Sequence, residues 1–274
     1  MYCQFYNLKE RPFNVTSDPA FFFLSNKHKE ALSYLLYGIN QRKGIMVVTG
    51  EIGTGKTTLC RFFLNQLGKN VKTAFILNPI FSDLQLLEAI VMDFGIPIKN
   101  RSRLALAWEL NRFLLNESAS GNNVVLIIDE AQNLKPQSLE QIRMLTNLET
   151  AKDKLLQIIL VGQPELNQKL ELYNLRQLKQ RIMVKYHITP LEKEDIKNYV
   201  EHRLATAGAQ GRIKFTDEAF QAISDFSSGI PRLINILCDR SLLAGFVAES
   251  SIIDTNIVNK CLEELGTYLI HQEI

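Results

Sequence analysis

The run Val47-Val48-Thr49-Gly50-Glu51-Ile52-Gly53-Thr54-Gly55-Lys56-Thr57-Thr58 constrains this chain more than any other stretch. Apolar, β-branched residues lead into a loop that matches G-x-x-x-x-G-K-[ST] from Gly50 to Thr57, and a helical stretch follows over 59–67. Three glycines let the backbone curl in ways that other residues resist. The curl turns successive N–H groups inward, and the helix N-terminus behind them adds its positive end, so the loop is a cradle for a polyphosphate. Lys56 is placed to reach the β- and γ-phosphates, and the Thr57 hydroxyl to ligate Mg²⁺. Gly50, Glu51, Ile52, Gly53, Thr54, Gly55, Lys56, Thr57 and Thr58 are therefore the expected nucleotide-binding residues. A chance glycine-rich turn would lack the strand before it and the helix after it.

Around that loop, apolar runs alternate with longer amphipathic stretches. Strands are expected at 45–49, 73–77, 124–129, 157–161 and 184–188, and helices at 59–67, 84–94, 104–116 and 138–149. The strands read as near-continuous Val/Ile/Leu runs, the pattern of a parallel sheet covered on both faces. Alternation of this kind predicts a doubly wound α/β domain. After Thr189-Pro190 only helical stretches are expected, with start signals at Thr189-Pro190, Thr216, Gly229-Ile230-Pro231 and Asp254. The expected division is residues 1–188 for the nucleotide-binding core with its N-terminal segment, and 189–274 for an all-helical domain.

A second signal is Val124-Val125-Leu126-Ile127-Ile128-Asp129-Glu130. An acid that ends a buried strand suits Mg²⁺ held through its water shell, which assigns Asp129 to the metal along with Thr57. Glu130, one residue on, is placed to take a proton from an attacking water. Gln163, at Gly162-Gln163-Pro164, either orients that water or touches the γ-phosphate, or is a turn residue before proline. Asn78 ends the second strand and either hydrogen-bonds Glu130 and restrains it, or forms a turn. Arg232 stands at a helix start in the second domain, where it either reaches the γ-phosphate or is a surface guanidinium. Arg176 and Arg181 precede the fifth strand, as candidate arginine fingers or as a basic face with Lys179.

Taken together these residues resemble the AAA+ superfamily, and most of all the ExeA/GspA family of ATPases named for general secretion pathway protein A. The likeness runs from Phe5-Tyr6-x-Leu8-Lys9-Glu10-x-Pro12-Phe13 through Asp18-Pro19, Phe21-Phe22-Phe23 and His28-Lys29-Glu30-Ala31-Leu32. It continues through the phosphate loop, Asp129 to Leu134, Gly162 to Leu166, Leu178 to Ile182 and Gly229 to Arg232. The resemblance implies a five-stranded αβα sandwich of order 5-1-4-3-2 with a small helical lid. It also implies Gln163 as first sensor, Arg232 as second sensor, Arg181 as the likelier of the two fingers and Asn78 as the glutamate switch. Secretion members carry a membrane span and a peptidoglycan-binding region after the ATPase, and Ile274 precedes neither here. A standalone or excised ATPase module is expected, or a relative with another task.

Composition narrows the partners. Hydrophobic content of 46% and charged content of 22% suit a soluble globular protein. A net charge of +2 supplies no obvious basic stripe for nucleic acid. Lys27, Lys29, Arg42, Lys43, Arg101 and Arg103 are scattered. Cys3, Cys60, Cys238 and Cys261 have no C-x-x-C spacing, and predict free thiols in a reducing, cytoplasmic setting. His28, His187, His202 and His271 show no ligand spacing either. No apolar run approaches the roughly 18 residues that span a bilayer. No Asn-Lys-x-Asp motif for guanine occurs, so ATP is the nucleotide that the resemblance favours. Tyr6, Phe13 and the Phe21–Phe23 run either pack the base or plug a core.

Two function classes remain: an ATP-driven assembly factor of a secretion or cell-envelope system, acting as a homo-oligomer on a protein partner, and a DNA-associated ATPase that recruits or regulates a transposase. The first is favoured. It is expected in the cytoplasm, with recruitment to the inner face of the membrane through partners or a further region.

Overall fold

The computed structural model describes residues 1–150 and 153–270, so His271 lies outside the described residues. Five parallel strands form the larger sheet: β1 (Ile45–Gly50), β2 (Val71–Ile76), β3 (Asn123–Ile128), β4 (Gln157–Gly162) and β5 (Ile182–Ile188), in the order β2-β3-β4-β1-β5. Read from the other edge, this is the expected order 5-1-4-3-2. Central β1 and β4 are buried along their whole length, and Val124 to Ile128 of β3 likewise. Of the edge strands, β5 alternates half-buried with exposed positions, and β2 is half-buried or exposed at four of its six positions. That difference is why the central strands read as unbroken apolar runs.

Because all the pairings are parallel, the segments leaving β1, β3 and β4 emerge side by side at the carboxyl edge of the sheet. The helices that return the chain have local reasons to start where they do. Ser82 caps Asp83–Asp93 in a reciprocal box with Gln85, and Ser102 caps Arg103–Ala119. A helix over Asn26–Asn40, which the alternation argument did not anticipate, buries Ala31, Leu35 and Ile39.

The described chain forms two compact units. Asn26–Glu51 and Leu59–Ile188 make the first; Met1–Ser25, Ile52–Thr58 and the chain from Thr189 onward make the second. A boundary falls between Ile188 and Thr189, and the difference from the expected division is that Met1–Ser25 and Ile52–Thr58 belong with the helical unit. Tyr2, Tyr6, Leu8, Phe13 and Phe21 are buried in one cluster with Leu191, Val200, Leu237, Cys238 and Val258. Each such side chain contributes about 1.5–3 kcal/mol by leaving water, which fixes the N-terminal segment to the helical unit. Tyr6 donates from its hydroxyl to the Ser250 carbonyl at 2.9 Å, and burial pushes its phenol up to about 12. Tyr6, Phe13 and Phe21 are thus core residues.

Two other expectations about this unit need correction. It is not all-helical, because β6 (Lys214–Phe215) and β7 (Ile252–Ile253) pair in parallel. Two residues are too few for alternation to reveal a strand. Nor does a helix begin at Thr189-Pro190; it spans Lys193–Thr206, with Glu192 before it. The Leu191 N–H donates to the Gly229 carbonyl at 2.8 Å, which commits that stretch to a non-helical path. Thr216 and Asp254 do cap their helices, accepting from the Ala219 and Ile257 N–H groups at 3.2 and 3.0 Å.

Candidate nucleotide site

The loop begins where β1 ends. Gly53 and Gly55 have φ of +81° and +92°, in the region that side chains disfavour. Gly53 is also a point of close approach: a Cβ there would lie 2.6 Å from the Arg232 Cβ, and its carbonyl accepts from the Arg232 N–H at 3.3 Å. Arg232, second residue of the helix Pro231–Val247, therefore sits against the phosphate loop with its side chain exposed. Thr54 and Lys56 are buried, whereas Glu51 and Ile52 are exposed. The helix Lys56–Gln66 starts inside the motif, so Thr57 and Thr58 fall in the first turn, where backbone N–H groups lack intrahelical partners. Positive φ at Gly53 and Gly55, ahead of the first turn of a helix, suits a loop that wraps an anionic phosphate chain. The Thr57 hydroxyl and the Asp129 carboxylate are oxygen donors of the kind that suits Mg²⁺, which retains several of its waters.

At the carboxyl edge of the sheet, Asp129 is 1% exposed and accepts the Glu130 N–H through Oδ1 at 2.9 Å. Glu130 follows in a left-handed conformation, φ 53° and ψ 37°, that costs a non-glycine residue about 1–2 kcal/mol. Its half-buried carboxylate accepts two amides on one oxygen: Gln132 Nε2 at 2.5 Å and Gln163 Nε2 at 3.2 Å. Gln163, directly after β4, thus meets Glu130 across neighbouring strand ends. Asn78, also with positive φ, does not bond Glu130. Its carbonyl oxygen accepts from Asn133 Nδ2 at 3.0 Å, so its contact is with the turn that follows the acid and not with the acid itself.

Arg181 and Arg176 are engaged within their own unit. Arg181 donates from Nη1 to the Thr146 hydroxyl at 2.7 Å, and that hydroxyl donates to the Arg143 carbonyl at the end of the helix Pro136–Leu145. The Arg176 guanidinium lies 4.3 Å from the centre of the exposed Tyr173 ring. Thr49, last but one in β1, receives Asn167 Nδ2 at 3.1 Å and contacts His187 Nδ1 at 3.0 Å. Sequence reasoning assigned no role to Gln132, Asn133, Asn167 or Lys169. Gln132 and Asn133 stand next to the acid pair, and that adjacency was the available signal. Among the described residues, no group of three or more His, Cys, Asp or Glu side chains is arranged to hold a metal, so an ion here would rely on single protein oxygens and on its ligand's phosphates. No described helix is long and apolar enough to cross a membrane.

A parallel sheet of order 2-3-4-1-5, with a G-x-x-x-x-G-K-[ST] loop leaving β1 and an acid pair leaving β3, defines a P-loop protein of the AAA+ class. The family described as an AAA domain matches residues 39–170. The fold is similar to that of the ORC2 protein of Aeropyrum pernix in its ADPNP–ADP complexes, with a TM-score of 0.69 at 19% identity over 93% of this chain and 72% of that one. The RuvB Holliday junction branch migration motor of Thermotoga maritima aligns with a TM-score of 0.59 at 20% identity, over 87% and 68%.

In sequence, the chain is 47% identical to general secretion pathway protein A of Aeromonas hydrophila, over 91% of this chain and 46% of that protein. It is 26% identical to an uncharacterised HTH-type transcriptional regulator of Methanocaldococcus jannaschii, over 89% of this chain and 62% of the regulator. The chain belongs to the AAA+ ATPases of the ExeA/GspA family. It spans about half the length of the curated relatives it matches.

Proposed function

We propose that this chain binds ATP with Mg²⁺ and hydrolyses it, and that turnover drives assembly of a protein complex of a secretion or cell-envelope system. The observation that carries the hydrolysis is the direct hydrogen bond from Gln163 to Glu130 at the carboxyl edge of the sheet. A carboxylate and an amide held this close can both reach one water, the carboxylate through its other oxygen. Backbone N–H groups from Gly50 to Thr58 and the Lys56 ammonium hold the phosphates, and Arg232 and Gln163 report on the γ-phosphate. Thr57 and Asp129 hold the ion, which when bound neutralises charge on the β- and γ-phosphates. Glu130 takes a proton as the water oxygen bonds to the γ-phosphorus; the bond to the β–γ bridging oxygen breaks, leaving ADP and phosphate.

The 47% identity to a protein named for general secretion supports a secretion role; on this reading the chain acts in the cytoplasm on a protein partner, as a homo-oligomer. A DNA-associated role in recruiting a transposase is the second reading, and the similarity to an HTH-type regulator favours it. Lys56→Ala is expected to abolish ATP binding. Glu130→Gln is expected to keep ATP binding and to lose roughly 10²–10⁴ in turnover, the usual contribution of a positioned base. Normal hydrolysis by Glu130→Gln would remove the assignment. Double-stranded DNA binding with an affinity that falls steeply with salt would favour the second reading over the first.

A further inference from the structure

The Gln132 side chain joins two strand ends that the sheet only places side by side. Its Nε2 donates to Glu130 Oε2 at 2.5 Å, and its Oε1 accepts the backbone N–H of Gln163 at 3.1 Å. Both partners fix the amide's orientation, since a carboxylate only accepts and a backbone N–H only donates. A third bond, from Gln163 Nε2 to the same Glu130 oxygen at 3.2 Å, closes the circuit. We propose that Gln132 is the positioning residue that couples Glu130 to Gln163, holding the carboxylate in its working orientation when the Gln163 side chain leaves it for a phosphate.

Three independent features reserve this place for Gln132. Gly162, last residue of β4, leaves room for it: a Cβ there would stand 2.7 Å from Gln132 Oε1 and 3.3 Å from its backbone nitrogen. Lys169 clamps the turn, donating from Nζ to the carbonyls of Gln132 and of Leu134, the latter at 2.8 Å. Asn78 holds the next residue, Asn133, at 3.0 Å. With its turn fixed on both sides, the Gln132 amide is preorganised, and little side-chain freedom remains to be lost. The chemistry also demands an amide. A carboxylate at this position could accept from Gln163 N–H but would repel Glu130, and a thioether would do neither.

The inference rests on the hydrolysis proposed above, and its test separates the two. In Gln132→Met, hydrogen exchange at the Gln163 amide of the nucleotide-free chain is expected to accelerate at least tenfold. In the same variant kcat should fall roughly 10- to 100-fold with ATP affinity unchanged, the scale of one hydrogen bond to a charged group. Gln132→Glu should restore protection at Gln163 to within threefold of the unsubstituted chain and leave kcat depressed. Gly162→Ala, which displaces the same side chain, should reproduce both effects of Gln132→Met. Recovery of protection and kcat together in Gln132→Glu, or a kcat within twofold in Gln132→Met, would overturn the coupling role. Should the unsubstituted chain show no turnover, hydrolysis falls, and the exchange comparison alone then decides whether Gln132 holds Gln163.

Discussion

Arg203→Met is the substitution that most directly tests how the N-terminal segment is fixed. Arg203 is 6% exposed in the helix Lys193–Thr206. Its Nε donates to the Pro12 carbonyl at 2.6 Å, its Nη2 to the Asn14 carbonyl at 3.0 Å, and its Nη1 to the Tyr199 hydroxyl at 3.0 Å. The guanidinium also lies 5.1 Å from the centre of the Phe21 ring. Methionine keeps the stem's packing and removes every donor. Tyr199 retains Asn235 Oδ1 at 2.8 Å, and Asn14 is exposed enough to regain water. Pro12 is buried, and its orphaned carbonyl costs about 1–3 kcal/mol. The lost bonds to a charged group add about 1.5–3 kcal/mol each, offset by several kcal/mol of guanidinium desolvation no longer needed. A net loss of about 2–4 kcal/mol of local stability follows. The Lys9 N–H, bonded to the Ala207 carbonyl at 2.9 Å, reports on it. Its exchange should accelerate on the order of 10²-fold, at a factor of ten for each 1.4 kcal/mol. Arg203→Lys should fall between, because a single ammonium cannot reproduce the planar fork. Lys9 exchange within threefold of the unsubstituted chain in Arg203→Met would refute the clamp.

Burial, and then the nearby Arg203 charge, hold the His202 imidazole below its ordinary range. The folded chain therefore binds fewer protons there than the unfolded one. Stability is intact above the unfolded value of about 6.5 and is lost as pH falls from there towards the folded value. His202→Gln should flatten that loss in urea midpoints taken between pH 7.5 and 5.5, and parallel curves for the two proteins would count against it. If Arg181 acts on a neighbour's nucleotide, it must leave Thr146, and hydrolysis should rise with protein concentration. Mixing Arg181→Ala with Lys56→Ala should then recover activity that neither has alone, since one mixed interface joins an intact loop to an intact finger. Full activity in Arg181→Ala, independent of concentration, would leave Arg176 as the candidate.

The sheet was legible because its strands are buried by geometry and not by accident. Five strand runs appear within a few residues of where the apolar runs put them, and the acid at 129 falls at the end of β3 as a covered parallel strand requires. What failed to show was structure whose apolar periodicity is short or weak. The β6–β7 pair has two residues a side, and the helix Asn26–Asn40 buries His28, Ala31, Leu35 and Ile39 at helical spacing, but only Leu35 and Ile39 of these are strongly apolar. The N-terminal segment, grouped by sequence order with residues 1–188, packs instead within the helical unit. Yet the link had a signal. Ile196, Tyr199, Val200, Arg203 and Leu204 share one face at helical spacing, and an arginine on an apolar face must find acceptors.

For the site, residue types were readable and their partners were not. The sequence shows that Gly50, Asp129 and Gln163 lie at strand ends, since motif and run length suffice for that. It could not show that Glu130 bonds Gln132 and Gln163 instead of Asn78. That choice depends on a left-handed backbone at Glu130, on a turn that sends Asn78 to Asn133, and on the absent Cβ of Gly162. None of these three leaves a periodic trace. Each adjusts the direction of a side chain by a few ångströms, and a hydrogen bond persists only within a few tenths of one. A restraint on Glu130 is therefore set by turn geometry more than by the residue that a motif nominates. By that argument, Gly162→Ala, at a residue with no side chain of its own, should disrupt the Glu130 contacts with Gln132 and Gln163 more than Asn78→Ala, which loosens only the neighbouring Asn133.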